Sequence, residues 1–227
     1  MVKTENFNID LLLFKKYNYF GIREIALNFI KEHFDFKIYP ITWLSILSAL
    51  VIVPGMLYFP KEFGYENGIL ENLQMIVLFA GLILAFKAKV HKKFFIFIGL
   101  VITILMLREI NCGRTLFFAV PNKVNTFYSW KEIKYGYLAH PLYGLYITGV
   151  GLYFFINKLF IDMWEIIKKI KFPVWNFVLL IIGISIGMYA EKCLENAILE
   201  ELGELLFYVS LMSIIWLYGF NKSFQEV

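Results

Sequence analysis

The sequence predicts an all-α integral membrane protein, a bundle of about six transmembrane helices. Three observations favour this fold class: the composition, the length of the apolar runs and the placement of lysine. Of the 227 residues, 59% are hydrophobic, 19% are aromatic and 18% are charged, whereas a soluble domain carries about 25% charged residues. The mean hydropathy is +0.65. A water-soluble chain of this length could not bury so much apolar surface.

Apolar runs as long as a membrane-spanning helix recur along the chain. A hydrocarbon core about 30 Å thick requires about 20 helical residues, and Ile41–Phe59 and Phe172–Ala190 contain no charged residue. The run Ile69–Phe86 contains one, Glu71, near its start. Three shorter runs with polar residues at one end complete the six predicted spans: Phe94–Leu107, Leu142–Ile156 and Leu205–Phe220.

The first 40 residues carry the pattern of an amphipathic helix, without the compact apolar segment of a signal peptide. Such a helix lies at the membrane surface or packs against the cytoplasmic end of the bundle. The predicted organisation is an interfacial segment 1–40, a membrane domain 41–220 and a tail 221–227. The apolar stripe and the polar residues between its members are Ile22, Ile25, Ala26, Phe29 and Ile30, and Arg23, Glu24, Asn28, Lys31 and Glu32.

Lysine placement predicts the orientation. The segments before span 1, between spans 2 and 3 and between spans 4 and 5 are rich in lysine, whereas two short loops on the other side carry Lys61 and Lys192. Because cytoplasmic segments concentrate positive charge, we expect both termini in the cytoplasm. The net charge of +4 then reflects membrane orientation and does not indicate nucleic-acid binding. One outer connection departs from the rule, with Arg108, Arg114, Lys123, Lys131 and Lys134.

Both cysteines, Cys112 and Cys193, fall on the outer side in this orientation. They are either free thiols or, in an oxidising compartment, a disulfide. Their spacing is not that of a metal site.

An acidic phrase occurs twice, as ENGILENLQM from Glu66 and as ENAILEELGE from Glu195, with six identities in ten positions. An apolar span precedes each copy, so spans 1–2 and 5–6 form a candidate parallel repeat. Each copy places an asparagine four residues before a glutamate, on one face of a helix. A pseudo-two-fold axis would bring the two pairs together: Asn67 with Glu71, and Asn196 with Glu200.

Charged residues from four spans are predicted to meet near the outer surface. Such groups cost about 2.5–3.5 kcal/mol at the centre of a span, so they face the bundle interior or a wet cavity. We therefore expect a polar pocket open to the non-cytoplasmic side. Counting about 20 residues from the cytoplasmic end of each span places two groups, one a turn below the surface and one at the rim: Glu71, Arg108, Glu109, His140 and Glu204, and Glu66, Arg114, Glu191, Glu195, Glu200 and Glu201.

The carboxylates of this pocket are candidate acid–base groups or metal ligands. Hard oxygen ligands suit a divalent cation, which is the candidate cofactor. Acids at the start of a span also stabilise the helix dipole without any ligand. The candidate acid–base carboxylates are Glu71, Glu109, Glu200 and Glu204, and Glu66 joins them in the candidate metal set.

Arg108 and Arg114 end the third span and could clamp a phosphate or carboxylate. The alternative is that they neutralise neighbouring glutamates. His140, at the mouth of span 4 before Pro141, is a candidate proton-transfer residue or an ordinary interface residue.

Two further motifs have mainly structural interpretations. Gly183-Ile-Ser-Ile-Gly187 matches a nucleophile elbow by letter, but in an apolar span its two glycines indicate helix packing. A catalytic dyad of Ser185 with His140 is the remote alternative. Ser129-Trp-Lys-Glu132 has capping-box spacing and predicts a short helix before span 4.

The chain resembles a group of uncharacterised bacterial polytopic membrane proteins. They share an E-[DN]-G-x-x-E start to one span, an E-E-I-S-W-G-Q-R-like end to the next, and a Glu-rich start to a late span. The departures are Arg108 in place of the first Glu of the second motif, Cys112 in place of Trp, and an Arg one place early. The resemblance implies a bacterial inner membrane and no activity. The matching segments here are Glu66-Asn67-Gly68 with Glu71, Arg108–Arg114, and Glu200-Glu201 with Glu204.

Three functions fit these observations. The first is an enzyme or binding protein that acts on a lipid headgroup or another charged small molecule, with or without a metal. The second is a transporter or substrate-capture subunit for a small solute or cation. The third is a non-catalytic assembly protein whose charges are structural. A scarcity of polar residues in the inner halves of the spans favours the first.

Overall fold

The computed structural model describes residue 24 and residues 28–225, with Lys169 described by its backbone alone. The described chain is mostly helical. A single two-stranded parallel sheet pairs β1 (Phe34–Asp35) with β2 (Phe172–Pro173). The helices in chain order are α1 Thr42–Tyr58, α2 Ile69–Lys87, α3 Lys92–Glu109, α4 Arg114–Phe117, α5 Ala139–Ile156, α6 Leu159–Lys169, α7 Val174–Tyr189 and α8 Ala197–Phe220.

Six of these helices coincide with the six apolar runs of the sequence. The largest difference is at α8, which begins at Ala197 rather than Leu205 because its acidic first turns are helical too. The Asn196 side chain caps this start by accepting from the backbone N–H of Leu199 at 3.1 Å. The polar beginning of a span is therefore part of the helix and not of the preceding loop.

Two helices of the described chain are long and apolar enough to cross a membrane: Ile69–Lys87, and α7 with its continuation to Leu194. Two bent pairs raise the number to four if each pair counts as one span. In the first, α3 bends by 57° into the segment ending at Phe117, and in the second α5 bends by 67° into α6. The helix α1, at 17 residues, is apolar but shorter.

The last long helix, α8, is the centre of the bundle. Helices α1, α2 and α7 pack around it, while α3 packs on α2. Its inward side chains form two apolar clusters, one with α1 and α2 and the other with α2 and α3. The buried apolar residues of the first cluster are Ile52, Leu70, Ile198, Leu202 and Leu206.

Glycines allow α7 and α8 to approach very closely. A Cβ on Gly203 would lie 2.5 Å from the backbone nitrogen of Gly187, and a Cβ on Gly183 would lie 2.6 Å from that of Phe207. Backbone atoms cannot move aside as a side chain can. The helix-packing interpretation of Gly183 and Gly187 is thereby confirmed.

Buried polar side chains join α1, α7 and α8 at the end of the bundle that carries the sheet. Thr42 Oγ1 donates to Asn176 Oδ1 at 2.8 Å, and the hydroxyls of Ser45 and Ser213 lie 3.2 Å apart. These four residues are at most 1% exposed. Side-chain hydrogen bonds of this kind hold helices together where water is scarce.

Helices α5 and α6 lie at the periphery. The tyrosine hydroxyls of α5 donate to backbone carbonyls of α3, from Tyr143 to Ile104 and from Tyr146 to Leu100. A Cβ added to Gly144 or Gly149 would meet no atom of the described chain within 4 Å, so this face of α5 is open. α6 is amphipathic and exposes Trp164 at its surface.

Two sequence predictions meet a different outcome in this structure, and a third lies mostly outside the described residues. The N-terminal amphipathic helix lies mostly outside the described residues, although residues 28–33 are helical. The short helix predicted from Ser129 to Glu132 is wrong, because residues 130–135 form turns and bends. Asn67 precedes α2 with a φ of 60°, so it does not share a helical face with Glu71. The parallel repeat itself stays a prediction.

Candidate functional site

A polar cavity of about 490 Å³ lies at the end of the bundle where α2 and α8 begin and α3 ends. Its volume is within the usual range for small-molecule sites, about 300–1,000 Å³. Helix starts, a helix end and two connections contribute to its wall, so the site brings together segments far apart in sequence. The lining residues are Gly64, Glu66, Glu71, Arg108, Glu109, Asn111, Asn125, Glu191, Ala197, Glu200, Glu201 and Glu204.

The start of α2 places Glu71 in this wall. Gly68 is the N-cap residue, and a Cβ there would lie 2.6 Å from the carbonyl oxygen of Tyr65. The chain can therefore turn tightly into the helix only with glycine at this position. Glu71 bends back and accepts from the backbone N–H of Asn67, and the residue is 5% exposed. One carboxylate oxygen thus caps the helix.

The first turns of α8 supply three further carboxylates, from Glu200, Glu201 and Glu204. Glu201 is held by Gln74 of α2, whose Nε2 donates to Glu201 Oε2 at 2.7 Å and to the Glu201 carbonyl oxygen at 2.9 Å. Gly64 packs against the same turn, since a Cβ there would lie 2.9 Å from the backbone nitrogen of Ile198. The acidic helix start is therefore fixed from two sides.

Arg108 connects α3 to α8 through an ion-pair network. Its Nη2 lies 2.5 Å from Glu204 Oε1 and 2.8 Å from Glu109 Oε1. Tyr208 completes the network, because its hydroxyl donates to Glu109 Oε1 at 2.6 Å and accepts from Arg108 Nη2 at 3.2 Å. The Glu109 side chain is 6% exposed. One oxygen of this buried carboxylate thus takes all the contacts that the structure shows for it.

Arg114 also has acidic and polar neighbours. Its Nη2 lies 3.7 Å from Glu66 Oε2. Asn111, with its amide oxygen turned to the guanidinium, accepts from Arg114 Nη2 at 2.9 Å. Of the two interpretations of the arginines, the contacts favour the neutralisation of glutamates. Anion binding by Arg108 and Arg114 stays a prediction.

The structure assembles most of the predicted site and leaves His140 outside it. Glu66, Glu71, Arg108, Glu109, Glu200 and Glu204 all line the cavity, as does Glu191. His140 packs against Trp130 instead, with ring centroids 5.9 Å apart. Ser185 is an exposed residue that donates to the Ile181 carbonyl of its own helix, so no dyad with His140 forms.

Two network residues, Gln74 and Tyr208, were not predicted from the sequence. Gln74 could have been predicted as a site residue, because it is an amide in an apolar run, three residues after Glu71 and on the same helical face. Tyr208 could not, since tyrosines occur throughout the predicted spans.

The cavity has a strong excess of negative charge. Its described lining contains seven glutamates and one arginine, and that arginine is paired with Glu109 and Glu204. Within the described chain, no group of three or more His, Cys, Asp or Glu residues is arranged to hold a metal ion. The candidate metal set therefore stays a prediction.

A second cavity, of about 480 Å³ and mostly apolar, lies between the end of α3 and the start of α5. Leu107 and Cys112 line it, while Arg108, Glu109 and Asn111 line the acidic cavity. The segment from Leu107 to Cys112 thus separates a charged cavity from an apolar one.

Cys112 and Cys193 are both free, as one of the two sequence interpretations has it.

Comparison with protein-family models, curated proteins and solved structures gives no match.

Proposed function

We propose that this chain is a six-span protein of a bacterial inner membrane, with the acidic cavity on the outer side. Six helices of 16 to 24 residues support this, because each is close to the length that crosses a bilayer. Their outward faces carry large apolar residues that no described residue covers, for example Leu50, Ile76 and Leu145. Lysines concentrate at the end opposite the cavity, which is the expected cytoplasmic end.

The cavity functions as a binding or catalytic site for a positively charged group, on a lipid headgroup or on another small molecule. The observation that supports this is the charge imbalance of its wall, seven glutamates against one paired arginine. Carboxylates gathered in a partly buried site repel one another and require a cation or protons to neutralise them. A ligand with positive charge meets that requirement.

The interior of the bundle beyond the carboxylates favours a binding protein or an enzyme over a transporter. After Glu204, α8 continues towards the other end of the bundle with a cluster of buried apolar side chains, which are at most 7% exposed: Leu206, Val209, Ile214, Ile215 and Leu217. A solute crossing the bundle along α8 would have to displace this apolar cluster. The transporter alternative therefore requires a rearranged second conformation.

The same wall favours a ligand over a purely structural role for the charges. A structural site would pair each carboxylate with a basic residue. Glu71, Glu200 and Glu201 have no ion pair with any described residue, because the described ion pairs of the cavity involve Glu66, Glu109 and Glu204. Glu71 and Glu201 accept from Asn67 and Gln74, whereas the side chains of Glu191 and Glu200 have no hydrogen bond or ion pair with any described residue. These carboxylates without an ion pair are the part of the wall left for a ligand.

The test is cation binding by the purified full chain in an uncharged maltoside detergent, measured by isothermal titration calorimetry against a panel of small amines and MgCl2. We expect binding of at least one cation that weakens as salt rises, and at least tenfold loss in Glu71→Gln. Glu165→Gln, which removes an exposed charge on α6, is the matched control. Absence of binding to every cation in the panel would refute the proposal.

A further inference from the structure

We propose that the second, apolar cavity holds an acyl chain of an anionic phospholipid from the surrounding leaflet, whose headgroup is bound by Lys134. This inference goes beyond the proposed function, because it concerns the cavity between α3 and α5 and shares with that function only the placement in a membrane. It rests on the composition of the cavity wall, on the side to which the cavity opens, and on the charge at its edge.

The wall of this cavity suits a hydrocarbon chain. Leucine, isoleucine and aromatic side chains make up most of the described lining, and the volume of about 480 Å³ is within the range of small-molecule sites. Two tyrosines of the lining use their hydroxyl protons inside the protein, since Tyr143 donates to the Ile104 carbonyl at 3.4 Å and Tyr146 to the Leu100 carbonyl at 3.3 Å. The wall therefore offers a ligand mainly apolar contacts.

The cavity opens beside a peripheral helix, α5. Leu138 and Leu142 both line it, and they are 39% and 60% exposed. In the proposed membrane arrangement, a lipid can therefore insert a chain from the bilayer without crossing the bundle. Trp130 and Tyr135 belong to the same lining, and tryptophan and tyrosine concentrate at the level of the lipid headgroups. The mouth of the cavity is then at the level where a headgroup lies.

Lys134 is the one charged residue of the described lining. Its Nζ lies 5.3 Å from the centroid of the Tyr135 ring, and it has no ion pair with any described residue. The turn that carries it is tightly closed, because a Cβ on Gly136 would lie 2.1 Å from the carbonyl oxygen of Trp130. An anionic headgroup at the mouth of the cavity would therefore meet a positioned ammonium group.

The same assignment accounts for the positive charge of this outer connection, which departs from the usual distribution of lysine. The two arginines at its start pair with glutamates. The segment 118–138 carries Lys123, Lys131 and Lys134 against one acid, Glu132. Lysines near the bilayer surface attract anionic headgroups. A zwitterionic headgroup brings a cation of its own to the same lysines, so it fits less well.

Brominated phospholipids test the proposal, because bromine quenches only the tryptophans that it contacts and Trp130 lines the cavity. The full chain in phosphatidylcholine nanodiscs receives brominated phosphatidylglycerol or brominated phosphatidylcholine, and Trp130→Phe gives the background of the other tryptophans. We expect half-maximal quenching of Trp130 at an about fivefold lower fraction of the anionic lipid. Equal quenching by both lipids would overturn the anionic headgroup. Absence of Trp130 quenching by either would overturn the bound acyl chain.

Variants locate the headgroup contact. Lys134→Gln should remove the preference for phosphatidylglycerol, whereas Lys123→Gln, an exposed lysine of the same connection outside the lining, should keep most of it. Melting temperatures report whether each variant is folded, and both lysines are exposed. An equal loss in the two variants would indicate a general attraction to the protein surface and contradict the assignment to Lys134.

A free fatty acid has the same kind of chain and also an anionic head, so competition separates the two sources. Unbrominated phosphatidylglycerol should relieve the quenching of Trp130 at least as effectively as oleate. Relief by oleate alone would assign the cavity to a free fatty acid and overturn the phospholipid. Every one of these results leaves cation binding in the acidic cavity to its own test.

Discussion

Arg108 Nη2 lies 2.5 Å from Glu204 Oε1, so one guanidinium joins helices whose residues are 96 positions apart in sequence. The same nitrogen lies 2.8 Å from Glu109. Arg108 therefore holds two carboxylates of the cavity wall in place and neutralises part of their charge. Its role in stability can be tested separately from the proposed role of the unpaired carboxylates in binding.

Arg108→Ala should lower the free energy of unfolding by about 1–3 kcal/mol, because it leaves two partly buried carboxylates without their cation. Thermal unfolding in detergent measures the loss. Adding Glu204→Gln to the variant should recover part of it. Arg114→Ala is the control: its partner Glu66 is 49% exposed and 3.7 Å away, so the loss should be below about 1 kcal/mol. Equal losses in both variants would contradict this account.

Gly203→Ala should destabilise the bundle by about 1–3 kcal/mol, because the added methyl group would lie 2.5 Å from the backbone nitrogen of Gly187. Gly149→Ala, in the open part of α5, has no such neighbour among the described residues and should be neutral or stabilising by about 0.5–1 kcal/mol. The two melting temperatures in one detergent check the prediction. A similar shift in both would show that α7 and α8 are not in close contact.

Thr42→Val should cost about 0.5–2 kcal/mol, because Asn176 Oδ1 would lose the hydroxyl that donates to it inside the bundle. The Nδ2 of Asn176 already has no partner among the described residues, so the substitution would leave both ends of the amide unsatisfied. Thr148→Val replaces an exposed threonine of α5 that bonds only within its own helix. That variant should unfold at the wild-type temperature.

Acidification should loosen the turn around Trp130. The Ser129 backbone N–H donates to Glu132 at 2.7 Å and lowers the pKa of that carboxyl below its usual range. The carboxylate therefore stabilises the turn fully above the ordinary glutamate pKa, about 4.3. This stabilisation is lost as the pH falls through the lowered pKa of Glu132.

Trp130 fluorescence between about pH 6 and 3 follows this turn, with Trp130→Phe giving the background of the other tryptophans. The wild-type signal should change at the acidic end, whereas Glu132→Gln, which does not titrate, should lack that step. An identical acid transition in both proteins would exclude Glu132 as its origin.

Cys193 tests the proposed orientation. It is an exposed, free thiol in the connection between α7 and α8, at the cavity end of the bundle. In a Cys112→Ser background, a membrane-impermeant maleimide should label it in spheroplasts whose inner membrane is intact. Labelling that requires permeabilised membranes would place the cavity on the cytoplasmic side.

Charge and span length were sufficient to predict that Glu71, Arg108, Glu109 and Glu204 meet at one end of the bundle. Counting residues along a span gives the height of a side chain, and few other places at that height accept a charge. It does not give the direction in which the side chain points around the helix axis. His140 therefore lies in the first turn of α5, at the mouth of the predicted span, but packs against Trp130 instead of lining the cavity.

The central position of α8 could not be predicted for a related reason. In a soluble helix, the buried face is apolar and the exposed face is polar, so the sequence shows which is which. After Glu204, α8 offers no such contrast, because apolar residues occur on all of its faces. Small residues were the better indicator of which helix faces make contact. The spacing of Gly183 and Gly187 predicts a contact face on α7, and the structure shows that Gly203 of α8 lies against it.

The position of α8 in the chain has a consequence for biosynthesis. The helix around which the others pack is the last of the described long helices to leave the ribosome. Until it is synthesised, Arg108 and Glu109 have neither Glu204 nor Tyr208 to contact, and Gln74 has no Glu201. The earlier helices must therefore persist with incompletely matched polar groups, a state in which chaperones and quality-control proteases can act on the chain.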